Sequence, residues 1–342
     1  MTTKLRILNI VRPNDYELLF TPETREALSE LGEVTYRGQQ ERLSSDDLAA
    51  MIGGYDWLLG GWGTPKFTEE VLAAADTLQL YAHSAGSVKG ILPPAVFEQG
   101  ITVTHGARAI AHAVADLCVC LIWQMLRQTH KMDAALKGGA SWGEAKNAAI
   151  GLTAGIGHEF IGQRIGVLGA GHTGRTFIRL IRRLDCEVWV YDPYLSEEAA
   201  TELGARKAGL DEVLSQCRIV SCQLPTTDET FHMIGARELA LLQDGAIFCN
   251  TARSAVIDMD ALLAELQTGR FQAALDVFDQ EPLPEESPFR SLNNAILTPH
   301  VAGATIQARQ RQGQYMVDEM RRFVAGEPLL YRVTKEMLAI MA

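Results

Sequence analysis

The sequence lacks the features that mark metal-binding, membrane-spanning and secreted proteins. Its six cysteines include no Cys-x-x-Cys pair and lie in apolar segments, which excludes the usual zinc and disulfide frameworks and is typical of free thiols in a reducing compartment. No uncharged apolar run reaches the roughly 18 residues of a transmembrane helix, and the N-terminus has no apolar signal-peptide core. We therefore expect a cytoplasmic protein without a membrane partner or a metal site.

Basic charge is also scarce. The 342-residue chain carries 31 Lys and Arg against 42 Asp and Glu, a net charge of −11, and the basic residues are spread along it. A nucleic-acid-binding domain concentrates its basic residues on one surface, so we expect no nucleic-acid partner. Tandem repeats and low-complexity segments are absent too, and the length is about twice that of a typical domain, which predicts two globular domains.

A glycine-rich segment near the middle of the chain is the most informative feature. Residues 165–174 read Ile-Gly-Val-Leu-Gly-Ala-Gly-His-Thr-Gly, which predicts a strand, a turn and a helix start. Gly169 permits the tight turn, Gly171 lets a pyrophosphate approach the backbone, and Gly174 lets the helix pack closely on the sheet. Asp192 follows Gly174 by 192 − 174 = 18 residues, near the roughly 20 expected for a ribose-binding acid. The segment predicts a dinucleotide site.

Short apolar strands alternate with amphipathic helices on both sides of this segment. A long helical pattern over residues 107–128 precedes it, and another over residues 305–325 follows near the C-terminus. Residues 137–162, rich in Gly and Ala, are interpreted as a connector. The alternation predicts an α/β fold with two Rossmann-like domains, each a doubly wound parallel sheet.

Three side chains follow predicted strands beyond the glycine segment: Arg253, Glu281 and His300. Hydride transfer with a nicotinamide cofactor needs a proton donor for the carbonyl and a cation for the substrate carboxylate. The Arg253 guanidinium can bind a carboxylate through two parallel hydrogen bonds, and His300 can act as an acid or base near neutral pH. A contact with Glu281 would stabilise the imidazolium. Each residue alone is common in surface loops, but together they predict a catalytic site.

Six motifs, in this order along the chain, resemble the D-isomer-specific 2-hydroxyacid dehydrogenases. The resemblance implies an outer substrate domain formed by residues 1–107 and 306–342, into which an NAD-binding domain of residues 108–305 is inserted. It also implies a homodimer formed through the NAD-binding domain. The motifs are Gly157-His-Glu-Phe-Ile-Gly162, Gly169-Ala-Gly-His-Thr-Gly174, Leu224-Pro-Thr-Thr-Asp-Glu-Thr230, Asn250-Thr-Ala-Arg253, Leu275-Asp-Val-Phe-Asp-Gln-Glu-Pro282 and Thr298-Pro-His-Val-Ala-Gly303.

The same resemblance implies roles for the catalytic and substrate-binding residues. Arg253 would bind the substrate carboxylate and carbonyl, His300 would protonate the carbonyl oxygen, and Glu281 would support His300. The substrate carboxylate would also be held by backbone amides of four residues in the first domain: Ala85, Gly86, Ser87 and Val88.

The cofactor-binding residues follow from the same resemblance. His172 and Thr173 would lie over the pyrophosphate, and Asp192 would bind the adenine ribose. The residues after Asp192 are Pro193 and Tyr194 rather than Arg or Lys, which favours NAD over NADP, although dual use stays open. The nicotinamide side would be lined by Leu224, Thr251 and Asp276, with Thr230 as a weaker candidate.

Departures from the family pattern concern the substrate. Lys89 stands where the family usually has an aspartate, His112 and Asp116 replace an Asn and a Glu, and Ser254 replaces a Gly. We hypothesise a substrate larger or more anionic than lactate, such as a sugar-derived 2-hydroxy acid; the alternative, that these are ordinary loop charges, stays open. The residues that could select it are His83, Lys89, His105 and Arg108, with Trp62 and Trp142 as possible walls.

The function predicted from these residues is the NAD-dependent interconversion of a D-2-hydroxy acid and its 2-oxo acid, with His300 as proton donor and acceptor. One alternative is a phosphoglycerate-type or sugar-acid dehydrogenase of the same family. Another is an NADH-sensing binding protein of the co-repressor type, which would keep similar residues. Short tails without basic arms favour an enzyme, and no regulatory domain is expected after Ala342.

Overall fold

The computed structural model describes residues 4–148 and 157–341. Residues 149–156, inside the predicted connector, lie outside the described residues. The chain divides into two compact units, Met1–Ile110 with Ala304–Ala342 (unit 1) and Ala111–Gly303 (unit 2). The predicted divisions lie close to these, after residue 107 and before residue 306.

The strands are short, mostly of four or five residues. Their bounds are β1 Arg6–Asn9, β2 Glu33–Tyr36, β3 Trp57–Gly60, β4 Leu80–His83, β5 Thr102–His105, β6 Arg164–Leu168, β7 Glu187–Tyr191, β8 Arg206–Lys207, β9 Ile219–Cys222, β10 Ile247–Asn250, β11 Gln272–Leu275, β12 Ala295–Leu297 and β13 Arg332–Val333.

Two of the helices are long: α6 begins unit 2, and α14 lies near the start of the C-terminal segment that belongs to unit 1. The bounds are α1 Pro13–Leu19, α2 Pro22–Leu31, α3 Ser45–Ile52, α4 Glu69–Ala74, α5 Ala95–Glu98, α6 Ala111–Arg127, α7 Thr129–Lys137, α8 Trp142–Asn147, α9 His172–Ile181, α10 Glu197–Leu203, α11 Leu210–Gln216, α12 Ala236–Ala240, α13 Met259–Gln267, α14 Ile306–Ala325 and α15 Met337–Ile340.

Unit 1 is built on a six-stranded sheet with the order β13-β5-β4-β3-β1-β2. Its strands are parallel except β13, which pairs antiparallel with β5. Successive residues of a strand belong to different hydrophobic clusters: Ile7 lies in one cluster with Met316 of α14, whereas Leu8 lies in another with Leu48 of α3. Because side chains alternate across a strand, this split places helices on both faces, as the doubly wound prediction requires.

Unit 2 contains a fully parallel seven-stranded sheet with the order β12-β11-β10-β9-β6-β7-β8. From β6 the chain adds β7 and β8 on one side, then returns to add β9 to β12 on the other. The strand order therefore reverses between β6 and β9. In open α/β sheets, ligands bind at the carboxyl ends of the strands beside this reversal.

Helix α6 is the core helix of unit 2. The stretch Ala107–Arg127 is the one described helix long and apolar enough to span a membrane by length and composition. However, 61% of its apolar window is buried within the protein, and α6 packs against α9 and against strands β10 and β11. Its apolar face is therefore accounted for by packing inside unit 2.

Candidate active site

The glycine turn of unit 2 joins β6 to α9. Gly169 has a left-handed φ of 95°, which a residue with a side chain adopts at a cost. A Cβ placed on Gly174 would lie 2.0 Å from the carbonyl oxygen of Gly169, so the close approach of helix and turn requires glycine there. Beside Gly171 the space is open, since a Cβ there would meet no atom within 4 Å.

Helix α9 presents an amino end suited to an anion. Gly171 precedes it without a side-chain cap, and its first turn, which begins with His172 and Thr173, contains no acidic residue that would repel an anion. Arg175 braces the turn, because its Nε donates to the Ala170 carbonyl oxygen at 2.8 Å. These features fit the pyrophosphate of a dinucleotide.

Asp192 lies at the carboxyl end of β7, directly beside the glycine turn. Its Oδ2 accepts a hydrogen bond from the Ala170 backbone N–H at 2.7 Å, and its Oδ1 accepts one from the Tyr194 N–H at 2.8 Å. Two hydrogen bonds hold the carboxylate in place and leave further lone pairs for a ribose diol. The exposed Tyr194 hydroxyl donates to Glu229 at 3.0 Å, which links the turn after β7 to the loop after β9.

Thr251 and Leu224, predicted to line the nicotinamide side, are both almost fully buried at the ends of β10 and β9. The Thr251 hydroxyl lies 2.9 Å from the Cys118 thiol, and the Gln223 amide donates to that sulfur at 3.2 Å. Hydrogen bonding to Cys249 lowers the pKa of the Cys118 thiol in spite of its burial. Sequence reasoning missed Cys118 and Gln223, because only the packing of α6 brings Cys118 to the strand ends.

Asp276 is fully buried and holds the loop that carries His300. Its Oδ1 accepts hydrogen bonds from the Thr298 hydroxyl at 2.5 Å and the Val301 N–H at 2.9 Å. Its Oδ2 accepts one from the Ala302 N–H at 2.9 Å. The carboxylate therefore fixes residues on both sides of His300, a positioning contact that the sequence did not indicate.

Arg253 follows β10 in a turn that the buried Asn250 stabilises. The Asn250 amide accepts from the Ala252 N–H at 3.1 Å and donates to the Arg253 carbonyl oxygen at 3.0 Å. The Arg253 guanidinium donates to the Ala252 carbonyl at 2.7 Å. Burial lowers the pKa of Arg253 and the nearby Glu281 carboxylate opposes this, but a guanidinium stays charged at neutral pH. The site therefore keeps a partly buried cation.

His300 and Glu281 form a short contact, with Nδ1 and Oε2 2.6 Å apart. Glu281 is itself held, because its Oε1 accepts a hydrogen bond from the Phe278 N–H at 3.0 Å. His300 has a left-handed φ of 52°, and its backbone N–H donates a hydrogen bond to the Asp276 backbone carbonyl oxygen at 2.9 Å. With Nδ1 occupied, Nε2 is the ring nitrogen left for a substrate. Of the three residues predicted to act together, His300 and Glu281 are in contact, and the charge of Glu281 acts on Arg253.

A cavity of about 580 Å³ adjoins this dyad. Its walls include Phe278, Leu283 and Leu297, together with Glu281 and His300. The mostly apolar lining leaves His300 and Glu281 as polar groups at the wall of the cavity.

The loop predicted to bind a carboxylate lies in unit 1, where it follows β4. Ser84 anchors it, since both its N–H and its hydroxyl donate to the Gly60 carbonyl at 2.9 and 2.7 Å. Ala85 and Val88 are buried, whereas a Cβ on Gly86 would meet nothing within 4 Å. Ser87 caps the loop by accepting from the Lys89 N–H at 3.0 Å.

The residues proposed to select the substrate follow strands of unit 1, His83 at the end of β4 and His105 at the end of β5, but their surroundings differ. His83 is buried and lies 2.6 Å from the Tyr81 hydroxyl, and burial lowers its pKa to about 3, so it carries no charge at neutral pH. Arg108 lies over the Tyr331 ring at 5.7 Å. Lys89 is exposed, and so is Trp142, on helix α8 of unit 2. His83 therefore offers no cation to an acidic substrate.

The chain is similar to known proteins in sequence and in structure. Residues 119–302 match the family model described as D-isomer specific 2-hydroxyacid dehydrogenase, NAD binding domain. A glyoxylate reductase of Thermofilum pendens is 32% identical over 337 residues, which is 97% of each chain. A D-3-phosphoglycerate dehydrogenase of Methanocaldococcus jannaschii is 30% identical over 88% of this chain, which spans only 55% of that protein. The crystal structure of a phosphoglycerate oxidoreductase from Rhizobium etli is similar, with a TM-score of 0.76, 26% identity and coverage of 96% and 98%.

Proposed function

The chain belongs to the D-isomer-specific 2-hydroxyacid dehydrogenase family, and from this premise we propose that His300 is the proton donor and acceptor in its reaction. The protein is an NAD-dependent oxidoreductase that interconverts a 2-hydroxy acid and its 2-oxo acid. The observation that carries the residue assignment is the 2.6 Å contact of His300 with Glu281, at the same sheet edge as the glycine turn.

The chain's own residues would hold the cofactor as follows. The amino end of α9 and the open space at Gly171 suit the pyrophosphate, and the fixed Asp192 carboxylate suits the adenine ribose. Thr251 and Leu224 would lie on the nicotinamide side. Bound NADH supplies a hydride, and NAD accepts one.

In this proposal Arg253 binds the substrate carboxylate and the carbonyl oxygen. Its planar guanidinium can make two parallel hydrogen bonds, and partial burial strengthens them because less water competes. As the carbonyl is reduced, negative charge develops on its oxygen. A fixed cation at that oxygen stabilises the transition state more than the ground state.

His300 delivers the proton to that oxygen through Nε2 during reduction and accepts it during oxidation. Glu281 stabilises the protonated imidazolium and fixes the orientation of the ring, since it accepts from Nδ1–H. Asp276 holds the loop around His300. In unit 1, the backbone amides of Ala85 to Val88 are proposed to bind the substrate carboxylate.

Asp192→Ser is expected to weaken NADH binding and to relax the preference for NADH over NADPH. The substitution removes the carboxylate proposed to accept from the ribose hydroxyls and the charge that would repel a 2′-phosphate. Charged hydrogen bonds of this kind contribute about 1.5–3 kcal/mol, so the NADH Kd is expected to rise by about 10- to 100-fold. Fluorescence titration of both cofactors measures it. Glu197→Gln, in the exposed first turn of α10, is the control, and an unchanged NADH Kd for Asp192→Ser would contradict the assignment.

The dehydrogenase activity is tested by following NADH oxidation with 2-oxo acids of graded size and charge. Turnover of at least one acid is expected. Tight NADH binding without turnover of any acid would instead favour the NADH-sensing alternative.

We also propose that the protein is a cytoplasmic homodimer formed through the outer face of α6. This face exposes Trp123, of which 43% is accessible, next to the exposed Cys120 and Asp116. It borders a largely apolar surface cavity of about 510 Å³. A large aromatic side chain beside an apolar cavity is typical of an interface core. The free cysteines fit a reducing compartment.

Trp123→Glu is expected to convert the dimer into a monomer of 37.5 kDa. Burying a carboxylate in an apolar interface costs several kcal/mol, which exceeds what a marginal interface can compensate. Light scattering after gel filtration measures the mass. Val324→Glu, also exposed but in α14 of unit 1, is the matched control. A wild-type protein of monomer mass at assay concentration would refute the proposed dimer.

A further inference from the structure

An arginine stacked on a tryptophan lies at the carboxyl edge of the unit 1 sheet. The Arg309 guanidinium, in the first turns of α14, lies 3.8 Å from the ring centre of Trp62, which follows β3. Its Nη1 donates to the Gln312 Oε1 at 3.3 Å. Stacking and this hydrogen bond hold the planar group in a fixed orientation.

The charge of Arg309 is not paired. No carboxylate of the described residues forms an ion pair with it, and the acid whose charge acts on it is Asp15. Asp15 is already engaged, since Arg12 contacts it at 2.7 Å. Burial lowers the pKa of Arg309, and Asp15 opposes this only partly. Arg12 and Asp15 compensate each other, so the positive charge of Arg309 remains.

Gln312 adds a second unusual feature to this edge. Its side chain is fully buried, and its Nε2 donates to no acceptor among the residues that the structure describes. A buried amide without a partner costs about as much free energy as a lost hydrogen bond. Gln312 meets Arg309 through Oε1, so it helps to orient the guanidinium and does not neutralise its charge.

This pair adjoins the loop proposed to bind the substrate carboxylate. A Cβ placed on Gly106 would lie 3.2 Å from the Gln312 Cγ and 3.2 Å from the Ala85 carbonyl oxygen. Gln312 and Ala85 are therefore separated by little more than one glycine. Ala85 and Trp62 follow the neighbouring strands β4 and β3, and the helix residues Gln312 and Arg309 lie beside these two strand ends.

We propose that Arg309, supported by Trp62 and Gln312, binds a second anionic group of the substrate, either a carboxylate or a phosphate. The inference rests on the proposed function, in which the loop from Ala85 to Val88 holds the first carboxylate. The preferred substrate is then a dianionic 2-oxo acid. Arg309 takes no part in the transfer of hydride or proton, so it sets specificity.

The test compares matched pairs of 2-oxo acids in NADH oxidation with the full-length protein. The pairs are 2-oxoglutarate with 2-oxopentanoate, and 3-phosphohydroxypyruvate with hydroxypyruvate. The ratio of kcat/KM for the dianion to that for its partner is the readout. The wild-type ratio is expected to exceed one for at least one pair. A raised ratio for the first pair identifies the second anionic group as a carboxylate, and a raised ratio for the second pair identifies it as a phosphate.

Arg309→Met keeps much of the side-chain length but removes the charge, and is expected to lower this ratio by about 10- to 100-fold. Arg309→Lys keeps the charge and is expected to retain part of the ratio. Arg321→Met, on the same helix but exposed beside Glu30, is the control and is expected to keep the wild-type ratio. Trp62→Leu removes the aromatic support without altering the helix and is expected to lower the ratio as well, which provides an independent test if Arg309→Met unfolds.

A wild-type ratio at or below one for both pairs overturns the inference, and so does an unchanged ratio in both Arg309→Met and Trp62→Leu. The proposed function survives either result, since turnover continues. A wild-type protein that binds NADH but turns over no 2-oxo acid overturns the proposed function itself, and the inference with it.

Discussion

Replacing His300 with alanine is expected to lower kcat by about 10²- to 10⁴-fold, the usual contribution of a positioned general acid. The variant loses the imidazole whose Nδ1 contacts Glu281 and whose Nε2 is proposed to give the proton. The effect should fall on kcat, because NADH is proposed to bind at the glycine turn and Asp192, away from His300. Steady-state kinetics with the best 2-oxo acid, beside fluorescence titration of NADH, measure both.

Two further variants make this result specific. His158→Ala removes another histidine of unit 2, whose ring lies near Arg218, and should leave kcat unchanged. Glu281→Gln keeps an acceptor for the Nδ1–H group but removes the charge that stabilises the imidazolium, so a smaller loss than that of His300→Ala is expected. Near-normal turnover of His300→Ala would reject the proton-donor assignment.

Arg253→Gln is expected to lower kcat/KM by about 10²- to 10³-fold, the scale on which a preorganised donor at a developing oxyanion contributes. Glutamine can still donate one hydrogen bond but has neither the charge nor the paired geometry of the guanidinium. Both kcat and KM should change, because the same group is proposed to bind the carboxylate and stabilise the transition state.

Arg253→Lys is the matched comparison, since it retains the charge without the planar fork. Its kcat/KM is expected to lie between those of the wild type and Arg253→Gln. Thermal unfolding of the variants checks that the turn held by Asn250 persists. Full activity of Arg253→Gln in a folded protein would remove Arg253 from the mechanism.

The sequence predicted the local parts of this protein well. The glycine segment, the acid at the end of β7 and the helix of residues 305–325 carry short-range patterns, because strand and helix periodicity and glycine turns are set by neighbours along the chain. The family was predicted from ordered motifs, and the family model and relatives confirmed it. Short strands without an apolar pattern, such as β13 with two residues and an antiparallel pairing, were missed.

Several contacts of the candidate site could not be read from the sequence. Asp276 was predicted to line the nicotinamide side, yet all three of its carboxylate hydrogen bonds come from the loop 22 to 26 residues further along. Cys118 meets Thr251 across a separation of 133 residues. The residues next to Asp276 and Cys118 in the sequence do not indicate these distant hydrogen-bond partners.

The sequence by itself determined which residue types are available at each strand end: a turn of glycines, an acid, an arginine, a glutamate and a histidine. Tertiary structure alone decided which of these residues meet. Parallel strands bring segments that are distant in the chain to one edge of the sheet, and the order of the strands depends on how helices pack on both faces. The pairing of His300 with Glu281 and the stacking of Arg309 on Trp62 are decided in this way. The unpaired charge of Arg309 exists only because Asp15 is committed to Arg12, a balance of distances that no local pattern encodes.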